Sequence, residues 1–333
     1  MVIKPINYEK KLSIIDTQKA IKLTKDCFEK ELASALNLIR VSAPLYVKKN
    51  SGLNDHLNGY ERPVTFDIKD MDEVVEVVQS LAKWKRWALR KYGFNLYEGI
   101  YTDMNAIRRD ENLDNIHSSY VDQWDYEFII NEEDRKIEYL KETVSKIALA
   151  LYNTQEIVRE TYPFLSEVFK KEVYFITSEE LLQKYPNLTA KEREDAICKE
   201  HQEVFIMQIG NKLSDGKKHD GRAFDYDDWN LNGDLLVWYP TLNRAIELSS
   251  MGIRVDSEAL IVQANKSKVR ESELKKFHND VLQNKLPLTL GGGIGQSRMC
   301  LVMLDKAHIG EVHASVWPNE MLQECRSVGI DLL

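Results

Sequence analysis

The sequence is poor in the features that mark a metal centre, a disulfide scaffold or a membrane anchor. Its four cysteines, Cys27, Cys198, Cys300 and Cys325, are scattered, with no Cys-x-x-Cys pair and no histidine at ligand spacing. Buried or idle thiols in a reducing compartment are expected, and a zinc site is not. No stretch approaches the ~18 consecutive apolar residues of a membrane helix. The opening MVIKPINYEKKLSIIDTQKA has no apolar signal core, so a cytoplasmic protein without membrane association is expected. Positive charge is short too: Lys+Arg 45 against Asp+Glu 53 gives a net charge of -8. Binding nucleic acid over a broad face needs clustered Lys/Arg to displace counterions, so no nucleic-acid partner is expected. Repeats, low-complexity tracts and Pro/Gly/Ser-rich linkers are missing, which favours a single continuous domain over residues 1–333.

What is present is an ordinary globular composition, 43% hydrophobic and 29% charged, sufficient for a sizeable core. Residues 17–36 carry Ile21, Phe28, Leu32 and Ala35 near one helical face. The following LNLIRVSAPLYV ends extended, because the residue before Pro44 is pushed toward the β region. DEVVEVVQS is ambiguous between helix and strand, its valines fitting a strand at least as well. LAKWKRWALRKYG reads as a helix stopped by Gly93. Residues 135–160 repeat apolar side chains at 3–4 spacing, a long helix. Thr189 and Glu192 make a capping box that opens another helix. VFIMQIG and DLLVWYP read as buried strands. Helices early, strands later and few βαβ alternations predict an α+β fold, a mostly antiparallel sheet flanked by helices.

The segment TLGGGIGQSRMCLVML packs four glycines into residues 291–295 and runs into a helix-like segment. A Walker loop needs Gly-Lys-Ser/Thr, which the run lacks. A dinucleotide fingerprint needs a third glycine where Arg298 stands, and a longer βαβ unit beyond it. A glycine-lined strand remains, leading into a helix whose first turn presents Arg298. It could lie against an adenine ring or phosphate with Arg298 pairing to phosphate oxygens, or be merely a closely packed strand.

A second constellation is GIYTDMNAIR and HSSYVDQWDYE, two strand-like pieces around a charged turn. Arg108 ends the first piece; Gln123 and Asp125 lie on one face of the second at period 2. That face suits a phosphate beside an amino acid, or is the solvated side of a hairpin.

The proline segment LIRVSAPLYV, the Arg108 hairpin and GGGIGQSRMCLVML, in that order, resemble the three motifs of the class II aminoacyl-tRNA synthetase catalytic domain, around residues 32–47, 99–127 and 289–304. AHIGEVHASVWP is similar to the segment after the third motif in aspartate-type members. More narrowly, SLAKWKR, YVDQWD, KLSDGKKHD, YDDW, NGDLLVW and ELSSMGIRVD resemble the ammonia-dependent asparagine synthetases, the aspartate–ammonia ligases, nearly end to end. One departure is a chain shorter than that family's between YDDW and LNGD, at residues 229–232, as if a surface loop near the site were trimmed.

The resemblance implies adenylation of the aspartate side-chain carboxylate by ATP, then displacement of AMP by ammonia. It implies catalytic roles for Arg108 at the α-phosphate, Arg298 at the terminal phosphates or adenine face, and Asp55 toward ammonia. It implies that Ser80, Lys85, Gln123, Asp125, Asp227, Ser249, Ser250 and Arg254 bind aspartate, with Lys85 and Arg254 on its α-carboxylate. Arg108, Arg222, Gly293, Gly295 and Arg298 would hold the nucleotide, and Asp234 and Glu247 would hold Mg²⁺, an ion suited to hard oxygen ligands and phosphates. A homodimer built on the proline motif is implied as well.

The competing readings are plainer. Lys85 is one more cation on an exposed helix, the DYDDW acids are a solvated run, and Asp55 sits in a mobile connector. His219 is a solvated histidine in a charged loop. Free ammonia is expected as the nitrogen source, since Val2 follows Met1, the first cysteine is Cys27 on a predicted helix, and no amidotransferase segment fits. The rival functions are a synthetase-like paralogue acylating tRNA or another acceptor, and a catalytically dead regulatory paralogue.

Overall fold

The computed structural model describes residues 2–5, 8–55, 57 and 61–333. Its strands in chain order are β1 (Leu38–Arg40), β2 (Tyr46–Lys48), β3 (Thr65–Phe66), β4 (Val75–Val77), β5 (Gly99–Ile107), β6 (Tyr120–Ile129), β7 (Tyr174–Thr177), β8 (Glu203–Met207), β9 (Asp227–Tyr239), β10 (Arg244–Arg254) and β11 (Thr289–Gly295). The α-helices are α1 (Ile14–Leu36), α2 (Ala82–Tyr92), α3 (Ile137–Thr161), α4 (Ser178–Lys184), α5 (Ala190–His201), α6 (Ser257–Lys266), α7 (Lys276–Leu282), α8 (Gln296–Met303) and α9 (Asn319–Ser327). The ambiguous valine run is a strand, with Val75 and Val77 buried. The helix after it stops at Gly93, whose φ of 75° is left-handed and favours glycine.

Eight strands form one sheet in the order β1-β5-β6-β11-β10-β9-β8-β7. The outer pairs β1/β5 and β7/β8 are parallel, and every pairing between them is antiparallel. The mostly antiparallel α+β expectation therefore holds. A smaller sheet, β2-β4-β3, lies beside it.

The two faces of the large sheet differ, and β6 shows why. Side chains alternate along a strand, so Trp124, Tyr126 and Phe128 enter the main core with Phe28 and Leu32 of α1, Val144 and Ile147 of α3, and Met299 of α8. The Phe28 and Trp124 rings lie 4.9 Å apart. Gln123, Asp125 and Glu127 project to the opposite face, opposite Gly295, Gly293 and Gly291 of β11. On that face α2 packs over β5 through Leu81, Trp84, Ala88 and Leu89. α5 packs over β8 and β9 through Ile197 and Cys198. The strip between these helices, over β6, β11 and β10, forms the floor of a cavity.

One buried acid stands apart from that cavity. Glu203 of β8 is fully buried, with Oε2 accepting the Lys170 amide at 2.9 Å and Oε1 unpartnered. Burial pushes its carboxyl up from 4.5 to about 8. The neutral form is thus favoured in the fold. Its stabilising contribution is complete below the unfolded pKa and lost as pH rises through the folded one. Glu203→Gln is expected to flatten the fall in unfolding free energy between about pH 5 and about pH 9, as followed by urea denaturation. An unchanged pH slope contradicts this.

Candidate active site

The cavity, about 400 Å³ in volume, is walled by β6, β10, β11, the start of α2 and the segment before β9. At its inner end lies a buried charge cluster. Arg254 closes β10 and donates through Nε to both Glu127 oxygens at 3.0 Å, and through Nη2 to Oε2 at 2.7 Å. Its Nη1 donates to Asp227 at the start of β9. Thr289 donates its hydroxyl to Glu127 at 2.6 Å. Lys85, fully buried on α2, donates to the Gly292 carbonyl at 2.8 Å and pairs with Asp125 at 3.3 Å. The other Asp125 oxygen accepts the Leu81 amide at 3.2 Å, just ahead of α2.

Two cations thus face three carboxylates, an excess of one negative charge suited to a ligand ammonium. Burial raises the Glu127 carboxyl, but Arg254, Lys85 and the Thr289 hydroxyl together hold it below the ordinary range. At Asp227 burial wins over Arg254 and the carboxyl stands above its ordinary value. Burial depresses the Lys85 ammonium, with Asp125 opposing.

The glycine run is explained by its neighbours. A Cβ at Gly291 would stand 2.0 Å from Glu127 Oε2, and one at Gly293 would stand 2.6 Å from both Asp125 Oδ1 and Gln123 Oε1. β11 is bare because side chains of β6 lean across it. Gly293 and Gly295 also line the cavity, whereas the space over Gly291 belongs to Glu127.

The outer end carries three arginines, with carboxylates among them. Arg108 follows β5; its Nη2 donates to the Gln79 carbonyl at 3.5 Å, and its Nε is buried without a partner. Arg298, in the first turn of α8, donates to the Ile116 and Glu247 carbonyls at 3.3 and 3.0 Å. The Glu247 carboxylate is 4.0 Å away. Arg222 pairs with Asp220 at 2.9 Å and with Asp234. Asp234 Oδ1 is buried and unpartnered.

Most of the sequence-predicted residues converge: Ser80, Lys85, Gln123, Asp125, Asp227, Ser250 and Arg254 line the inner part and Arg108, Arg222, Glu247 and Arg298 the outer. Asp55 is buried, accepting the Ser80 hydroxyl and the Leu57 amide, each at 2.9 Å. The mobile-connector reading fails for Asp55 itself; His56, Asn58, Gly59 and Tyr60 lie outside the described residues. Asp234 stands behind the wall, reached through Arg222. Ser249 is off the cavity wall, because successive strand residues alternate faces and Ser250 takes the inward one.

Three plain readings are corrected. Lys85 is not exposed. The DYDDW acids are not solvated: Asp225 pairs with Lys83 and His278 at 2.8 Å, Asp227 with Arg254, and Asp228 with Arg135 at 3.0 Å. His219 is buried against Glu194. No loop stands at residues 229–232, which lie within the continuous strand β9. Sequence reasoning passed over Glu127, although it continues the period-2 series of Gln123 and Asp125. It also passed over Tyr226, whose ring lies 5.9 Å from the Arg254 guanidinium.

The family model described as aspartate-ammonia ligase matches residues 15–329. The chain belongs to the aspartate–ammonia ligase family. It is 59% identical over 333 residues to an aspartate–ammonia ligase of Clostridium tetani, covering 100% of this chain and 98% of that protein. It is 54% identical to that of Ligilactobacillus salivarius, at 100% and 99% coverage. Among solved structures, it is similar to asparaginyl-tRNA synthetase from Entamoeba histolytica (TM-score 0.65, 12% identity, 91% of this chain and 69% of that one). The Pyrococcus horikoshii asparaginyl-tRNA synthetase gives a TM-score of 0.64 at 17% identity, over 91% and 70%. The ligase family thus shares the class II aminoacyl-tRNA synthetase catalytic fold, at a sequence distance that establishes the fold alone.

In this ligase-family site, Gly291→Ala is expected to destabilise the protein by at least about 3 kcal/mol, the cost of breaking a buried ion pair. Gly295→Ala, whose Cβ meets only the Arg298 side chain at 3.4 Å, should cost under about 1 kcal/mol. Equal denaturation midpoints for the two variants contradict the packing account.

Proposed function

We propose that the chain makes L-asparagine from L-aspartate, ATP and ammonia, through a β-aspartyl-AMP intermediate and with release of AMP and pyrophosphate. The observation that carries this reading is the polarity of one cavity: a buried, nearly balanced charge cluster at one end and under-paired arginines at the other. A carboxylate is a poor electrophile, and the mixed anhydride with AMP gives it a good leaving group. The protein's share of such chemistry is positioning and fixed charge.

At the inner end, Gln123, Asp125 and Asp227 receive the aspartate ammonium. Arg254 and Lys85, with Ser80 and Ser250 beside them, hold its α-carboxylate. The Arg254 guanidinium keeps unused N–H groups after pairing with Glu127 and Asp227, so it can serve a further carboxylate. The side-chain carboxylate then points outward to Arg108, which steadies the α-phosphate. Arg298 and Arg222 meet the remaining phosphates, and Gly293 and Gly295 leave room for the nucleotide. Asp55, fixed by Ser80, orients ammonia for attack on the activated carbonyl.

Asp234 and Glu247 are the residues that would hold Mg²⁺. The buried, unpartnered Asp234 Oδ1 suits a hard cation, and no group of three His/Cys/Asp/Glu ligands exists among the described residues, so phosphate oxygens would complete the shell. The ion neutralises phosphate charge when bound.

We place the whole activity on a single catalytic domain, without a nucleic-acid partner, in the cytoplasm; no described helix is long and apolar enough to cross a membrane. Exposed Ile39, Leu45, Tyr46 and Phe66 around β1–β3 support a homodimer through the proline segment.

Isotopic nitrogen is expected to pass from ammonium to the asparagine amide with Mg-ATP and no tRNA. Folded protein that fails to transfer it contradicts the assignment, and tRNA-dependent aspartate transfer would favour the acylating alternative. Arg254→Lys, which loses the planar fork, should weaken aspartate binding by about 30-fold or more while leaving ATP binding within about threefold. Equal losses for both ligands would remove Arg254 from the aspartate site.

A further inference from the structure

Among the described residues of the cavity wall, Lys191 is a cation with no role in the proposed aspartate and nucleotide contacts. It lies in the first turn of α5, where the Thr189 hydroxyl accepts the Glu192 amide and the Glu192 carboxylate accepts the Thr189 amide. Hydrophobic packing seats α5 on β8 and β9, and Asp195 accepts the Ala245 amide of β10 at 2.7 Å. The helix is therefore fixed relative to Glu247, two residues along β10. The Lys191 side chain is 65% exposed and lines the cavity, within electrostatic reach of Glu247 and Asp220.

Its ammonium pairs with Glu194 Oε2 at 2.9 Å. An exposed i,i+3 pair contributes only about 0.5 kcal/mol and would normally carry no meaning. Here Glu194 is buried, and its other oxygen meets His219 Nε2 at 3.1 Å. The imidazole is only 1% exposed, and its Nδ1 is buried without a partner. Burying that ring with an unsatisfied nitrogen costs about 1–3 kcal/mol, where an apolar side chain would cost nothing. The pair's outward bond goes to a flexible cation at this end of the cavity. Arg222 has its charge matched by Asp220 and Asp234 and offers phosphate only its remaining N–H groups.

Sheet order places the cations in a row. Arg108 follows β5, Arg298 follows β11, and Lys191 stands over the β9–β10 end, so a polyphosphate starting at Arg108 runs toward Lys191. We propose that Lys191, aimed by the buried Glu194–His219 pair, binds the β- and γ-phosphoryl end of ATP and retains pyrophosphate after adenylation. Lys191 is the ligand-touching group; Glu194 and His219 are positioning residues. The inference rests on the adenylating reading and adds to it the site of the departing product.

The test measures binding of inorganic pyrophosphate with Mg²⁺, of AMP and of aspartate to the full chain by calorimetry. Lys191→Ala should raise the pyrophosphate Kd by about tenfold or more, with AMP, aspartate and melting temperature essentially unchanged. His219→Ala should shift pyrophosphate affinity in the same direction by less. His219→Gln, whose amide can replace the Nε2 donor, should restore most of it, which a merely structural role would not do. Wild-type protein that binds all three ligands while Lys191→Ala keeps its pyrophosphate affinity overturns the inference and leaves the function standing. Wild-type protein that binds neither AMP nor pyrophosphate overturns both.

Discussion

The site is built around one buried guanidinium. Arg254 has almost no solvent, so its charge must be met by protein, and Glu127 and Asp227 meet it from two other strands. Breaking such a pair leaves an uncompensated buried charge, at about 3–5 kcal/mol. The constraint propagates outward. Glu127 can reach Arg254 only across a β11 residue without a Cβ, which makes Gly291 obligatory, and Thr289 two residues earlier completes its hydrogen bonding. Four strands, β6, β9, β10 and β11, are thereby tied at one point, and the substrate cavity opens directly beside it.

The same strands carry both stability and chemistry because of the pleat. Along β6, Trp124, Tyr126 and Phe128 anchor the core while Gln123, Asp125 and Glu127 furnish the cavity floor. A one-residue slip would exchange the two sets, burying carboxylates under α1 and α3 and placing indole and phenyl rings in the cavity. Register is consequently specified twice, once by hydrophobic burial and once by the ion pairs with α2 and β10. Lys85 adds a third tie, its side-chain ammonium donating from α2 to the Gly292 carbonyl of β11.

The fold was legible wherever periodicity was strong: the α1 and α3 helices, the β5–β6 hairpin, and the strands β8 and β9 stand where the apolar pattern puts them. The valine run before α2 could not be assigned locally, because its strand character comes from pairing with β2 and β3. The site residues were legible as residue types in order, and the structure gathers most of them on one cavity. What stayed hidden was burial. Asp225, Asp228, Lys85 and His219 read as solvated because charged residues usually are. Their partners, Lys83, His278, Arg135, Gly292 and Glu194, lie far off in sequence or on other elements. Ser249 and Ser250 show the converse limit: adjacent serines are indistinguishable until the strand's facing is known.

The two ends of the cavity satisfy their polar groups differently, and the difference suits the proposed reaction. At the inner end nearly every donor and acceptor has a partner, so an incoming amino acid meets a preorganised surface that need not rearrange. At the outer end, Arg108 Nε, Arg222 Nε and Asp234 Oδ1 are buried without partners. Each such group costs on the order of 1–3 kcal/mol in the ligand-free protein. Under the proposed function that cost would fall away as phosphate oxygens and a cation arrive, and nucleotide binding would be favoured by the desolvation penalty it relieves. A fully paired outer end would be more stable and would compete with the phosphates for the same guanidinium groups. The unpaired groups are therefore concentrated where the proposed reaction would accept and release charge, and the Arg254 cluster holds the rest of the site still.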